Sequence, residues 1–297
     1  MSFFKSRSLI IDNVIGKLFF LTAMTCLIIL SLIMIFLLKE GLPIFKYVSV
    51  KDFLTGNEWY PVSDPPLFGT FPLIISSVSV TVLATLISVP LSMAIAIYIS
   101  EIAGSKVKEI VKPAVEIIAS LPSVVLGFFG MVVIAPFLQN VFKIDTGLNM
   151  FNASLMLAFM SIPTIASISE DAISSVPQSL KNASYALGAN KWQTIFFITL
   201  PAALSGIFTA IILGISRVIG ETMVVLMVAG GSTLLPKSIF SPIRPLTSNI
   251  AAEMAETAVG DAHYNSLFAI GIILFVITFI FNLAAANLSN KYKFKSN

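Results

Sequence analysis

Charge is scarce in this chain, and so are the side chains that perform covalent chemistry. Aspartate, glutamate, lysine and arginine make up 11% of the 297 residues, against about 25% in an ordinary soluble domain. A soluble fold of this length would lack the polar surface to cover itself. There is one cysteine, Cys26, so no disulfide can close within the chain. It lies inside an apolar run and reads as a small residue facing lipid or another helix. There is one histidine, His263, which excludes a multi-histidine metal site within the chain, and its place in an outside loop makes a Ser/His/Asp arrangement implausible. His263 reads as a plain surface residue. No G-x-x-x-x-G-K-S/T loop is present to cradle nucleotide phosphates. The chain is therefore expected to bind no cofactor and to hydrolyse no ATP itself, and an enzyme is a poor reading. The net charge of +3 is spread over short loops rather than one patch, which excludes nucleic acid as a partner.

What the chain has instead is apolar length. Hydrophobic residues are 57% of the total, gathered in runs close to the roughly 20 residues that cross a bilayer core as a helix. Charged residues bound six such runs, at about 18–38, 71–99, 113–139, 151–169, 202–230 and 266–289. The expected architecture is all-α: one polytopic transmembrane domain over 1–297, with membrane lipid as its surroundings. The first run is too long for a signal-peptide core and no small-residue cleavage site follows it, so it reads as an uncleaved span. With the amino terminus inside, eleven basic residues fall on the cytoplasmic side: Lys5, Arg7, Lys17, Lys106, Lys108, Lys112, Lys181, Lys191, Lys291, Lys293 and Lys295. Six fall outside, namely Lys39, Lys46, Lys51, Lys143, Lys237 and Arg244. This bias predicts both termini in the cytoplasm.

Several spans carry polar or irregular features. Ser77, Thr81, Thr85, Ser88 and Ser92 share one face of the second span, as a helix-packing seam or as the lining of a polar path. Pro90 interrupts the same helix, where Ser88 can bond freed backbone groups. Ser120-Leu121-Pro122-Ser123 followed by Gly127 and Gly130 predicts a broken third span, and Ile162-Pro163-Thr164 a similar break in the fourth. In the long outside loop 39–70, Trp59 and Tyr60 read as interfacial anchors or as a docking surface. The outside loop 231–265 is rich in proline up to about Leu246, with a surface helix expected over 247–257.

Residues 182–230 hold the features that a plain membrane helix does not need. The polar segment 170–200 reads as two short amphipathic helices, about 177–187 and 190–199. Pro177 can start the first, and Gly188 can turn left-handed at the bend. Helices this short, exposing apolar residues at the cytoplasmic surface, fit a partner's groove or the lipid interface. Further on, Arg217 and Glu221 lie deep in the fifth run, where an ionisable residue is a functional candidate by default. At i and i+4 of a continuous helix they would share a face. They read as an internal ion pair or as an anion site, since a guanidinium offers forked donors to an oxyanion. A carboxylate beside that arginine would accept the proton phosphate still carries near neutral pH and would repel sulfate, which carries none.

The 182–201 segment resembles the signature E-A-A-x3-G-x9-I-x-L-P of ABC-importer permeases. It falls on Asn182, Ala183, Ser184, Gly188, Ile198, Leu200 and Pro201 with its spacing intact, and with Asn182 and Ser184 as departures from glutamate and alanine. Leu187 and Ala189 flank its glycine. Residues 53–61, Leu121-Pro122-Ser123-Val124-Val125 with Gly127, and 217–230 make the chain similar to permeases of phosphate-specific (Pst) importers, more the PstC type than the PstA type. The resemblance runs from about residue 50 to the carboxyl end. It implies a type I ABC-importer transmembrane domain in a bacterial or archaeal cytoplasmic membrane. The implied partners are a PstA-type permease subunit, two cytoplasmic ABC ATPases that use ATP-Mg, and an extracytoplasmic phosphate-binding protein. It further implies that 182–201 couples to the ATPases and that Arg217 and Glu221 serve phosphate passage, with Thr81, Thr85 and Ser123 as further candidates for the path. A permease for sulfate, molybdate or tungstate, and a secondary transporter without an ATPase, are the rival readings.

Overall fold

The computed structural model describes residues 2–291. Lys293 and Lys295, counted above toward a cytoplasmic carboxyl terminus, lie outside the described residues, as do the side chains of Lys5, Arg7 and Lys291. Among the described residues, six helices or helical runs are long and apolar enough to cross a membrane. Helix α1 (Ser2–Gly41) is peripheral: nothing in its most apolar stretch is buried, and it packs along α13 (Ala262–Lys291). The two run antiparallel, with Phe36 edge-on to Phe268, so the start of α1 and the end of α13 lie at one end of the bundle, called here the terminal end.

The 39–70 loop is built rather than loose. It holds α2 (Val50–Thr55) and a small antiparallel pair, β1 (Trp59–Tyr60) with β2 (Leu67–Phe68). Trp59 is neither at the lipid interface nor on a docking surface: it is buried to 2% exposure beside Phe53, Leu73 and Leu246. An indole N–H taken out of water needs an acceptor, and Trp59 Nε1 donates to the Glu253 carboxylate at 3.0 Å. Arg244 Nη1 donates to the same carboxylate at 2.7 Å, and His263 Nε2 lies 2.8 Å from it. His263 is thus a buried strut of the cap opposite the terminal end, not a surface residue.

Helix α3 (Phe71–Ile97) and α7 (Met150–Ser174) form the centre, and 61% of the most apolar stretch of α7 is buried, more than in any other described span. Small residues make the contact: Ala84, Ser88 and Ser92 on α3 face Ala153, Ser154, Ala158 and Ser161 on α7, all buried. With lipid as apolar as any side chain, close approach of this kind is what holds spans together. Within the hydroxyl stripe, Ser92 bonds across to α7, while the threonines bond within α3. Thr81 and Thr85 donate to Ser77 O and Thr81 O, both at 2.7 Å, and Ser92 donates across to Ile162 O at 3.1 Å. Ser88 Oγ lies 3.5 Å from Thr85 O. Pro163 does not break the fourth span, and α7 runs through it as helix.

The third span begins later than 113. Residues 105–119 form a separate amphipathic helix, α4 (Ser105–Ala119), and the chain turns at Ser120-Leu121-Pro122 before α5 (Ser123–Phe129). A π turn, Gly130–Ile134, joins α5 to α6 (Ala135–Phe142), and the span is 123–142. Helix α4 is tied to the terminal end of α7 by charge. Lys108 and Lys112 each lie 2.6 Å from the buried Glu170 carboxylate, and Lys112 is 2.7 Å from Asp171. Asp171 first and then Glu170 hold the Lys112 ammonium above the ordinary lysine range.

Candidate translocation site and coupling segment

The fifth span is continuous with the coupling segment, and this alters how both are built. Helix α8 (Gln178–Ala186) ends at Leu187, and Gly188 turns the chain at φ +86°. A Cβ at Gly188 would meet nothing within 4 Å, so the glycine is required by the left-handed backbone and not by crowding. Asn190 and Gln193 then close a reciprocal capping box at the start of α9 (Lys191–Thr194). There is no separate helix over 190–199. Helix α9 passes through a π turn, Ile195–Thr199, into α10 (Leu200–Gly220).

Pro201 therefore sits inside a continuous helical run without ending it. A proline clashes with the carbonyl four residues back and donates no hydrogen bond, and the widened turn immediately before it relieves both demands. Leu200 N–H closes the wide turn on Ile195 O. The same device precedes Pro136, where Ala135 N–H closes on Gly130 O. The carbonyl of Gly130 also accepts from the buried Asn152 Nδ2 at 3.0 Å.

Five of the nine candidate coupling residues meet at one groove. Ala183, Ser184, Leu187, Ala189 and Ile198 line a cavity of about 390 Å³ together with Leu180, Gln193 and Phe197. Leu187 at 90% exposure and Phe197 at 75% stand out from it. Gly188, Leu200 and Pro201 shape the backbone instead, and Asn182 is exposed, its Oδ1 accepting from Gln178 Nε2 at 3.3 Å. Ser184, where the signature has alanine, is buried, and its hydroxyl lies 2.9 Å from Thr194 Oγ1, tying α8 to α9. Gly188→Val adds strain of about 1–2 kcal/mol to this bend, which is about a 5- to 30-fold shift in equilibrium. The expected result is a several-fold loss of partner ATPase retained through purification, with Gly188→Asn closer to wild type because asparagine tolerates the left-handed region.

Helix α10 leans on α7 where Gly214 faces Ile165, a contact a Cβ would block. One turn further along α10, Arg217 Nη1 donates to Thr164 Oγ1 at 3.0 Å. Thr164 lies fourteen residues into α7 and ten from its end, about 21 Å along it. That places the guanidinium near mid-membrane. Arg217 is exposed on the surface of the single chain, and among the described residues it has no carboxylate within ion-pair distance. Most of its five donors are free.

Arg217 and Glu221 are not neighbours on one helix. Helix α10 ends at Gly220, Glu221 is extended (φ −70°, ψ 132°), and α11 (Met223–Val228) begins two residues later. Glu221 Oε1 accepts from the N–H groups of Met223 and Val224 at 3.1 and 3.2 Å. Its carboxylate turns forward to cap α11, whose N–H groups favour negative charge, and away from the negative end of α10. A broken span must find partners for its freed carbonyls. Here Thr222 Oγ1 lies 3.4 Å from Gly220 O, and Thr247 Oγ1 donates to Glu221 O at 2.8 Å. Thr247 belongs to α12 (Leu246–Glu253), the helix expected over 247–257. Its first turn is buried, not on the surface, and Leu246 N–H donates to Ser77 Oγ at 2.8 Å.

Among the described residues, none of the remaining candidates hydrogen-bonds Arg217. Thr81 lines a small cavity of about 100 Å³ with Ser77, Ile219 and Leu246, and Arg217 is not in that lining. The Thr85 hydroxyl is occupied within its own helix. Ser123 opens α5, half-buried, and α5 packs on α11 with Gly127 against Met227.

A family model described as "Binding-protein-dependent transport system inner membrane component" matches residues 88–294. The chain belongs to this family. It is a transport component, a multi-pass protein of a cell membrane. Among curated relatives, the "Probable ABC transporter permease protein YqgH" of Bacillus subtilis is 39% identical, over 95% of this chain and 93% of that protein. The "Phosphate transport system permease protein PstC" of Mesorhizobium japonicum is 35% identical, over 77% of this chain and 75% of that one. The resemblance to PstC-type permeases carried by the motifs is borne out. A permease in the crystal structure of a bacterial alginate ABC transporter, in complex with an alginate pentasaccharide-bound periplasmic protein, superposes with a TM-score of 0.67 at 17% identity. It covers 95% of this chain and 96% of that one. This likeness bears out the all-helical ABC-permease fold.

Proposed function

We propose that this chain is one permease subunit of an ATP-driven importer of inorganic phosphate, working by alternating access. The observation that carries the anion is Arg217: a guanidinium near mid-membrane with, among the described residues, no carboxylate within ion-pair distance. An uncompensated charge at that depth is costly, and an oxyanion arriving in the path is what offsets it. The relatives named PstC supply phosphate as the oxyanion. Glu221 serves the path by shaping the break in the span through its cap on α11.

Arg217 lies on an exposed face of this chain, which fits a path completed by a second, PstA-type permease subunit. The groove at Leu187 and Phe197 is the docking surface for one of two cytoplasmic ATPases, which use ATP-Mg. The terminal end is accordingly cytoplasmic, and the opposite cap built on Trp59, Glu253 and His263 faces the phosphate-binding protein.

Uptake into proteoliposomes tests the reading. With the partner subunits present, labelled phosphate is expected to enter in an ATP-dependent manner and to be competed by unlabelled phosphate. Sulfate and molybdate are expected to leave it unchanged. Inhibition by sulfate or molybdate without inhibition by phosphate would sink the choice of anion, and uptake undiminished without the ATPases would sink the coupling.

A further inference from the structure

Helix α8 lies between two parts of the molecule that the chain joins only at a distance. By sequence it hangs from the end of α7 and returns through Gly188 into α10. In space its Lys181 reaches the turn that continues the end of α3, eighty residues away, where Nζ sits 2.5 Å from Glu101 Oε1. The two side chains are 10% and 9% exposed. Among the described residues, this is the one side-chain hydrogen bond or ion pair that links α8 to an element outside 175–200. Glu101 lies in the π turn Tyr98–Ile102, closed by Ala103 N–H on Tyr98 O, which hands α3 over to the amphipathic α4.

Removing two charges from water costs more than a packed apolar pair would, so stability alone does not call for an ion pair here. Its property is direction: a short contact of fixed length between the segment that meets the ATPase and the helix at the centre of the bundle. Helix α10 receives any movement of the coupling segment through the backbone. Helix α3 has no such continuity with it.

We propose that Lys181 and Glu101 are positioning residues for coupling, forming a strut that moves the terminal end of α3 with α8 when the ATPases close. This rests on the ATP-driven reading above. It adds that the motor drives α3 through a side-chain contact and not through the chain path.

The test uses the whole complex, with this chain, its partner permease and the ATPases in proteoliposomes, and reads phosphate uptake per ATP hydrolysed by assembled complex. Lys181→Met removes the strut. Glu101→Asp keeps both charges in a site that still folds, but withdraws the carboxylate by one methylene. The exchange of Lys181→Glu with Glu101→Lys rebuilds the contact in reverse. The expected result is a loss of about tenfold or more in uptake per ATP for Lys181→Met, with ATP hydrolysis retained. Glu101→Asp should fall in between, and the exchanged pair should return to within about threefold of wild type. Wild-type uptake per ATP in both Lys181→Met and Glu101→Asp overturns the strut. So does a loss of uptake that merely follows the amount of complex assembled. A wild-type complex that retains no ATPase or imports no phosphate defeats the importer reading instead, and is seen before any variant is made.

Discussion

Replacing Arg217 with alanine is expected to abolish measurable phosphate uptake while the complex still assembles. The guanidinium is exposed on the single chain and makes one side-chain bond, to Thr164, so its loss leaves little of this chain's packing undone. What it removes is the charge proposed to meet the anion. Truncating one partner of a desolvated, hydrogen-bonded charge pair costs about 2–5 kcal/mol, which is roughly a 30-fold to several-thousand-fold loss. Arg217→Lys keeps the charge and gives up the planar fork, so its uptake should lie between alanine and wild type. Thr164→Val, which deletes the acceptor that holds Nη1, should cost less than either. The measurement is initial uptake rate normalised to complex recovered by affinity purification. Normal uptake by the alanine variant would return Arg217 to a packing role.

Glu221 separates two accounts of its carboxylate by a single pair of variants. If its work is to cap α11, glutamine retains it, because an amide oxygen accepts the N–H groups of Met223 and Val224 as a carboxylate oxygen does. Alanine leaves both donors without this acceptor; Met223 is exposed and water can take its place there, while the buried Val224 carries the cost, about 1–3 kcal/mol. The expected order is therefore Glu221→Gln within about threefold of wild type and Glu221→Ala at least about tenfold below it. Equal, severe losses in the two would show that the negative charge itself matters, as a counter-ion to Arg217 or as an acceptor for a proton on phosphate. Relief of sulfate exclusion in Glu221→Gln would point to the second of these.

The contrast between that expectation and the simple helical reading shows where the sequence is legible. Six apolar runs, the left-handed Gly188 and the break at Pro122 could be read directly, because hydropathy and special backbone residues are local properties. The end of α10 at Gly220 could not. No proline marks it, and an i, i+4 pair of Arg217 and Glu221 looks natural until the chain turns between them. What fixes the break is nonlocal: Thr247 on Glu221 O and Ser77 on Leu246 N–H come from distant stretches of sequence. Pro163 and Pro201 misled in the other direction. Pro163 looked like a break, yet α7 runs through it, and the helix expected to end near 199 instead continues past Pro201 by way of a π turn. His263 and Trp59 looked like surface residues because their shared acceptor, Glu253, is far along the chain. Thr164, which holds Arg217, was hidden inside a supposed helix break.

The wide turn at Ile195–Thr199 has a consequence for how the fifth span is aimed. It contains one residue more than a regular α-helical turn would use, and an α-helix advances about 100° of azimuth per residue. Deleting any one residue there would let the helix run on with α geometry while rotating everything beyond it by that angle. The composition of the span, its length across the bilayer and its hydropathy would hardly change, yet Arg217 would swing off Thr164 toward a different neighbour. The compass bearing of the Arg217 side chain is thus set more than fifteen residues away, at the edge of the segment proposed to meet the ATPase. Any motion that tightens or relaxes that turn would steer the guanidinium by rotation, with no need for the span to tilt.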